Sequence, residues 1–172
     1  LAAAGLIRTA PANLTVSIAP GHAGRAPQYL EGPMADYFTH FSCLLDVGTP
    51  ERAAAAMAIL QRCRAEDDEA DEPQYRGFEL SPQEEGKSGE LWFRDDESGD
   101  PDGVVAFVLR LAEDLDLQGL WGFDFANTAS RPILGSFGGG ATVIDLGARK
   151  VIGWVGTQTW LDKVLNGDDP DA

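Results

Sequence analysis

The chain has 172 residues, 44% of them hydrophobic, with 28 acidic side chains against 13 basic and a net charge of −15. That is enough for one domain with its own core. The charge excludes binding of nucleic acid through a basic patch, and anionic membranes would repel the chain. No apolar run approaches the ~20 residues that a membrane-spanning helix needs.

Residues 1–33 are rich in Ala, Gly and Pro, carry only Arg8, Arg25 and Glu31 as charges, and show no sustained periodicity. Either the native protein starts at Met34 and the preceding stretch is a mis-assigned start or a cloning remnant, or these residues form an arm on the domain or on a neighbour. Met34 leads directly into a strand pattern, which favours the first. From Tyr37 to Asp46 apolar and polar residues nearly alternate, predicting one continuous strand with Tyr37, Phe41, Cys43 and Leu45 on a shared face. Thr49-Pro50-Glu51 then opens a helix: a hydroxyl to cap it, a proline suited to the first position, and an acid at the positive end of the dipole. Its apolar stripe is Ala53, Ala56, Met57, Leu60 and Cys63.

Glu66 to Pro73 is so dense in carboxylates that a solvated loop is expected. Tyr75–Leu80 and Glu90–Arg94 read as an antiparallel hairpin around a polar turn. Asp100-Pro101-Asp102 opens a second helix, with Val104, Val105, Val108, Leu111, Ala112 and Leu115 apolar and an end near Gly119. Leu120–Phe125 is a fourth strand. Residues 126–140 read as a glycine-rich loop. Ala141–Leu146 and Lys150–Val155 form a second hairpin, and Thr157 caps a last helix that ends at Asn166-Gly167. The acidic residues 167–172 are expected to fray.

The order strand, helix, strand, strand, helix, strand predicts an α+β fold, a ferredoxin-like βαββαβ sandwich with an appended C-terminal hairpin and helix. Right-handed crossovers place both helices on one sheet face. The single domain is expected over residues 34–166.

The most unusual stretch follows the fourth strand. Asn127, Thr128, Ser130, Arg131, Ser136, Gly138, Gly139 and Gly140 gather an amide, hydroxyls, a guanidinium and glycines whose backbone N–H groups can face a ligand. They are the tentative ligand-binding residues. The competing reading is that the glycines serve a sharp turn or a close backbone approach. No Gly-Lys-Ser/Thr follows, so this is not a phosphate-binding P-loop. His40 and His22 have no nucleophile or acid at meaningful spacing and are read as structural or solvent-facing. Cys43 and Cys63 are read as reduced core thiols. No catalytic residue, metal site or cofactor is assigned. Between residues 66 and 102 stand 15 Asp or Glu and only Arg76, Lys87 and Arg94. Neither Asp67 nor Asp95 starts a calcium loop, because Glu72 and Asp100 occupy the sixth position where that loop needs glycine. Trp92, Trp121, Trp154 and Trp160 are expected in the core.

Trp121-Gly122-Phe123, Asn127-Thr128, Ser130-Arg131-Pro132 and Phe137-Gly138-Gly139-Gly140-Ala141 resemble small ferredoxin-like proteins of unknown function from bacterial, plasmid and prophage genomes. The resemblance implies that fold, a cytoplasmic bacterial setting and a mobile-element origin, and supplies no catalytic residues. Three functions are compatible with the sequence. The first is a noncatalytic binding or regulatory domain working through protein contacts, with a basic partner and a homodimer both compatible. The second is a small-molecule binder or enzyme using the loop 127–140. The third is an acidic mimic of nucleic acid, which requires one continuous carboxylate stripe.

Overall fold

The computed structural model describes residues 35–169. Residues 1–33, with the arm or false-start reading and His22, lie outside the described residues, as does the end of the acidic tail at 170–172. The elements are β1 (Tyr37–His40), β2 (Ser42–Asp46), α1 (Pro50–Asp67), β3 (Glu79–Pro82), β4 (Glu90–Arg94), α2 (Pro101–Asp114), β5 (Leu120–Ala129), β6 (Gly138–Asp145), β7 (Lys150–Gly156) and α3 (Thr157–Asn166). The fold is α+β, with two antiparallel sheets ordered β1-β5-β6-β7 and β2-β4-β3.

The strand order therefore differs from the single ferredoxin-like sheet expected. The expected first strand breaks at Phe41, and its halves enter different sheets. The cause is the short β4, which ladders with Ser42–Asp46 and then ends at Arg94. The turn behind it takes over. Phe41 donates its N–H to the Asp95 carboxylate at 3.2 Å and accepts from the Asp95 N–H, while Gly99 donates to the Thr39 carbonyl. A side chain at Gly99 would strike that carbonyl. On the other side β5 pairs with Tyr37–His40, and past the break the Trp121 indole donates to the Leu44 carbonyl.

Both helices start as their sequences dictate. Thr49 accepts from the Arg52 N–H and Asp100 from the Asp102 N–H, each followed by proline. α1 buries Ala53, Ala56, Ile59, Leu60 and Cys63; Ile59 joins the expected stripe and Met57 packs at its edge. Phe78, Phe93 and Phe107 meet with ring centroids 5.7–6.2 Å apart at the centre of the core. Fully burying each such side chain contributes about 1.5–3 kcal/mol. Phe123, Ile144 and Leu146 carry the core into the four-stranded sheet.

Several boundaries move. The carboxylate run is not all loop: Glu66 and Asp67 form the end of α1, and Asp67 is buried, accepting from the N–H groups of Gln74 and Tyr75. Tyr75 lies outside β3 and packs edge-on against Phe107. Arg64 bonds the Phe78 carbonyl and lies over its ring, fixing the entry to β3. Thr157 does not cap α3: Gly156 holds that position, and the Thr157 hydroxyl donates instead to the Gly139 carbonyl.

Candidate functional site

The expected loop 126–140 shrinks to residues 130–137, because β5 continues through Ala129 and β6 begins at Gly138. Gly138, Gly139 and Gly140 are strand residues paired with Asn127, Ala126 and Phe125. A Cβ at Gly140 would lie 2.7 Å from the Phe125 ring and 2.4 Å from the Val155 carbonyl, and one at Gly139 would strike the Phe125 carbonyl. The glycines are there so that β6 can pass between Phe125 and β7. The hydroxyls and amide are likewise engaged. Ser130 accepts from the Asp36 N–H, Ser136 ties its own turn through Ile133, and Thr39 donates to Asn127. Asn127, Thr128 and Ser136 do border one small pocket of about 270 Å³ with Thr39, Gly135 and Gln158. Gln158 donates to the carbonyls of Gly135 and Phe137. Arg131 stands exposed on the loop and does not line that pocket.

At the break between the sheets His40 Nδ1 lies 3.3 Å from Asp95, with Ser42 and Asp124 bordering the same cleft of about 310 Å³. Burial alone would raise the Asp95 carboxyl. The Glu97 N–H, His40 and the Phe41 N–H outweigh it and hold the group below its ordinary 3.8. The Ser42 hydroxyl accepts from the Trp92 indole at 2.9 Å, so it is oriented toward the tryptophan. This corner is a clamp on the strand break. The Cys43 thiol is pushed up to about 12 by burial and by the charge of Asp124, which leaves it protonated and a weak nucleophile at neutral pH. Burial likewise raises Cys63.

The open outer face of the three-stranded sheet is the surface the sequence reading missed. Strand alternation fixes its content. Leu91 and Phe93 are buried, so Glu90, Trp92 and Arg94 face outward; Leu45 is buried, so Ser42, Leu44 and Asp46 do too. The register lays these out in rows. Ser42, Arg94 and Glu79 are neighbours, then Leu44, Trp92 and Ser81. Asp46 pairs with Glu90, whose carbonyl accepts from the Gln83 N–H. Leu44 is 44% exposed and Trp92 37%. Ser42, Cys43, Leu44, Gln83 and Trp92 border a shallow cavity of about 540 Å³. Trp92 is fixed from two sides, by its bond to Ser42 and by the Arg94 guanidinium 4.7 Å over its ring. Asp46 and Glu90 flank the apolar centre in one row, and Glu79 beside Arg94 in the other. The signal was present in Leu91-Trp92-Phe93, where only one parity can face inward.

The expectation that the tryptophans form core is corrected. Trp154 and Trp160 are 47% and 45% exposed, Trp154 resting on the Phe125 ring, and of the four it is Trp121 that packs on the core, against Phe93 and Phe123. The reason is positional: Trp92 has the outward parity of β4, while Trp154 and Trp160 lie on the last strand and helix, which no described element covers. Not all the carboxylates of residues 66–102 are free to join one surface stripe. Asp67, Asp95 and Asp100 are bonded internally, and the β3–β4 hairpin separates Glu84 and Glu85 at its turn from Asp96 and Asp102 beyond its open end. Among the described residues no cluster of His, Cys, Asp or Glu could hold a metal ion, and no helix is long and apolar enough to cross a membrane. No protein-family model, curated protein or solved structure significantly matches the chain.

Proposed function

We propose that the protein is a noncatalytic binding domain that takes a basic protein partner, bearing an apolar side chain, on the outer face of the β2-β4-β3 sheet. The observation that carries this reading is Trp92 beside Leu44, exposed and held in place, with Asp46 and Glu90 in the outward row on one side and Glu79, next to Arg94, in the row on the other. A fixed indole loses little conformational entropy on binding, and tryptophan is enriched among the residues that dominate interface energies. The carboxylates steer a basic partner without adding much affinity of their own.

The ferredoxin-like reading belongs to the same proposal. What supports it is that β1 and β2, counted as one kinked strand, would stand between β4 and β5, with β3 beyond β4 and β6, β7 and α3 added at the other edge. The likeness to small bacterial and mobile-element proteins, and a cytoplasmic setting, are proposed on the same footing.

The test is capture from a bacterial lysate on the immobilised full-length chain and on Trp92→Ala, eluted with rising salt. A basic protein held by the native chain, released by salt, and bound at least about tenfold more weakly by the variant is the expected result, since truncating an anchoring tryptophan costs about 2 kcal/mol or more. Equal capture by both chains overturns the proposal.

A further inference from the structure

We infer that β7 and α3 form a self-association surface whose occupant is a second copy of this chain. Sheet edges are normally guarded. Here β3 is four residues long and ends in Pro82, and the free side of β1 is met by the turn holding Asp95 and Gly99. Among the described residues β7 has no such guard. Seven residues long, it pairs with β6 alone among the described strands, contains no proline, and has one charge, Lys150, at its start. Ile152, Trp154 and Val155 are 53%, 47% and 47% exposed.

The chain runs straight from this edge into α3. That helix buries none of its residues, and Trp160, Leu161, Val164 and Leu165 are 41–75% exposed. Thr157 and Gln158 anchor its first turn to the backbone of residues 135–139. An amphipathic helix with no buried side is half of an interface.

Charge selects the occupant. Residues 35–130 hold 22 acidic and seven basic side chains, a net of −15. The proposed surface itself is near neutral: β7 and α3 hold Lys150 and Lys163 against Asp162, with Asp168 and Asp169 just beyond. A second copy is repelled least at this near-neutral patch, while a basic partner is drawn to the rest of the molecule. Antiparallel pairing of β7 with its own copy closes on a twofold axis, joining the two four-stranded sheets and ending the assembly at two.

The test is the mass of the full chain in solution by sedimentation over a concentration series, at low and high salt. A species of twice the 18.4 kDa chain is expected, persisting at high salt where a basic partner would dissociate. Ile152→Lys on the edge and Leu161→Glu on the helix should each weaken association at least about tenfold, the equivalent of 1.4 kcal/mol. Both replace exposed side chains, so unchanged circular dichroism and melting separate this effect from unfolding. Leu120→Ser, an exposed position on β5, serves as the control and should associate as the native chain does. A chain that stays monomeric up to its solubility limit overturns the inference, and so do Ile152→Lys and Leu161→Glu associating normally. Failure of this experiment leaves the Trp92 proposal standing, because the two surfaces share no residue.

Discussion

At the scale of single residues, Asp95 shows how one side chain decides topology. Its carboxylate accepts the N–H of Phe41, the buried residue at which the first strand leaves one sheet for the other. Without it, that N–H would lack a partner in the break. Because its hydrogen bonds hold Asp95 below the ordinary carboxylate value, the ionised form is favoured in the folded protein. Its contribution is therefore present above the unfolded-state value and lost as pH falls through the lower folded-state one. Asp95→Asn keeps an acceptor for Phe41 but cannot ionise. A bond to a charged group contributes about 1 kcal/mol more than a neutral one. The variant should thus be less stable by about 1 kcal/mol at pH 7, and the gap should close as pH drops below 3.8. Urea unfolding of both proteins at pH 7 and at pH 3 measures this; a gap that does not change with pH refutes it.

At the scale of elements, the strand β6 explains a run of three glycines that reads in the sequence as loop. The sequence left two readings open, a ligand-facing loop or a close backbone approach, and the neighbours of the run in space are the Phe125 ring, the Phe125 carbonyl and the Val155 carbonyl, which is the close approach. Strand pairing brings those groups together from residues 13 or more positions away, so the local sequence contains no trace of them. Gly140→Ala should destabilise the protein by about 1–3 kcal/mol, the usual cost of forcing extra volume into a packed site. It should also disturb the contact between Phe125 and Trp154, whose rings lie 5.6 Å apart. Urea titration followed by tryptophan fluorescence reads both effects. A variant as stable as the native chain would mean that the glycines answer to something other than packing. The helices were more legible. Thr49-Pro50 and Asp100-Pro101 carry capping chemistry in adjacent residues, and both caps form. The end of α1 was less so, because the carboxylate run hid Asp67, which is buried by bonds to a return loop that the sequence does not announce.

For the whole molecule, the governing quantity is unbalanced charge. The 22 carboxylates of residues 35–130 face only seven Lys or Arg; Arg110 pairs with Asp114 at 2.9 Å and Arg76 with Asp68 at 3.0 Å. Exposed pairs of this kind contribute only about 0–1 kcal/mol. Self-repulsion therefore opposes folding, and salt should relieve it. Shortening the Debye length from about 30 Å to about 8 Å, with salt raised from about 0.01 M to 0.15 M, should raise the melting temperature by a few degrees. A scanning calorimetry series in sodium chloride tests this, and a melting temperature that falls with salt contradicts it.

The sequence by itself determined the acidic character, the mixed α+β class, the two capped helices and their buried stripes. These follow from composition, from 3.6- and 2-residue periodicity, and from capping groups adjacent in the chain. Only the tertiary structure decided that the first strand breaks at Phe41, that three tryptophans face outward, that the glycine run is a strand, and that α3 buries none of its residues. Each of these depends on partners far along the chain: Asp95 for the break, the parity of Leu91 and Phe93 within a paired sheet for Trp92, Phe125 and β7 for the glycines. Periodicity shows that a residue has an apolar face to turn. It takes the packed neighbours to say whether anything is there to receive it.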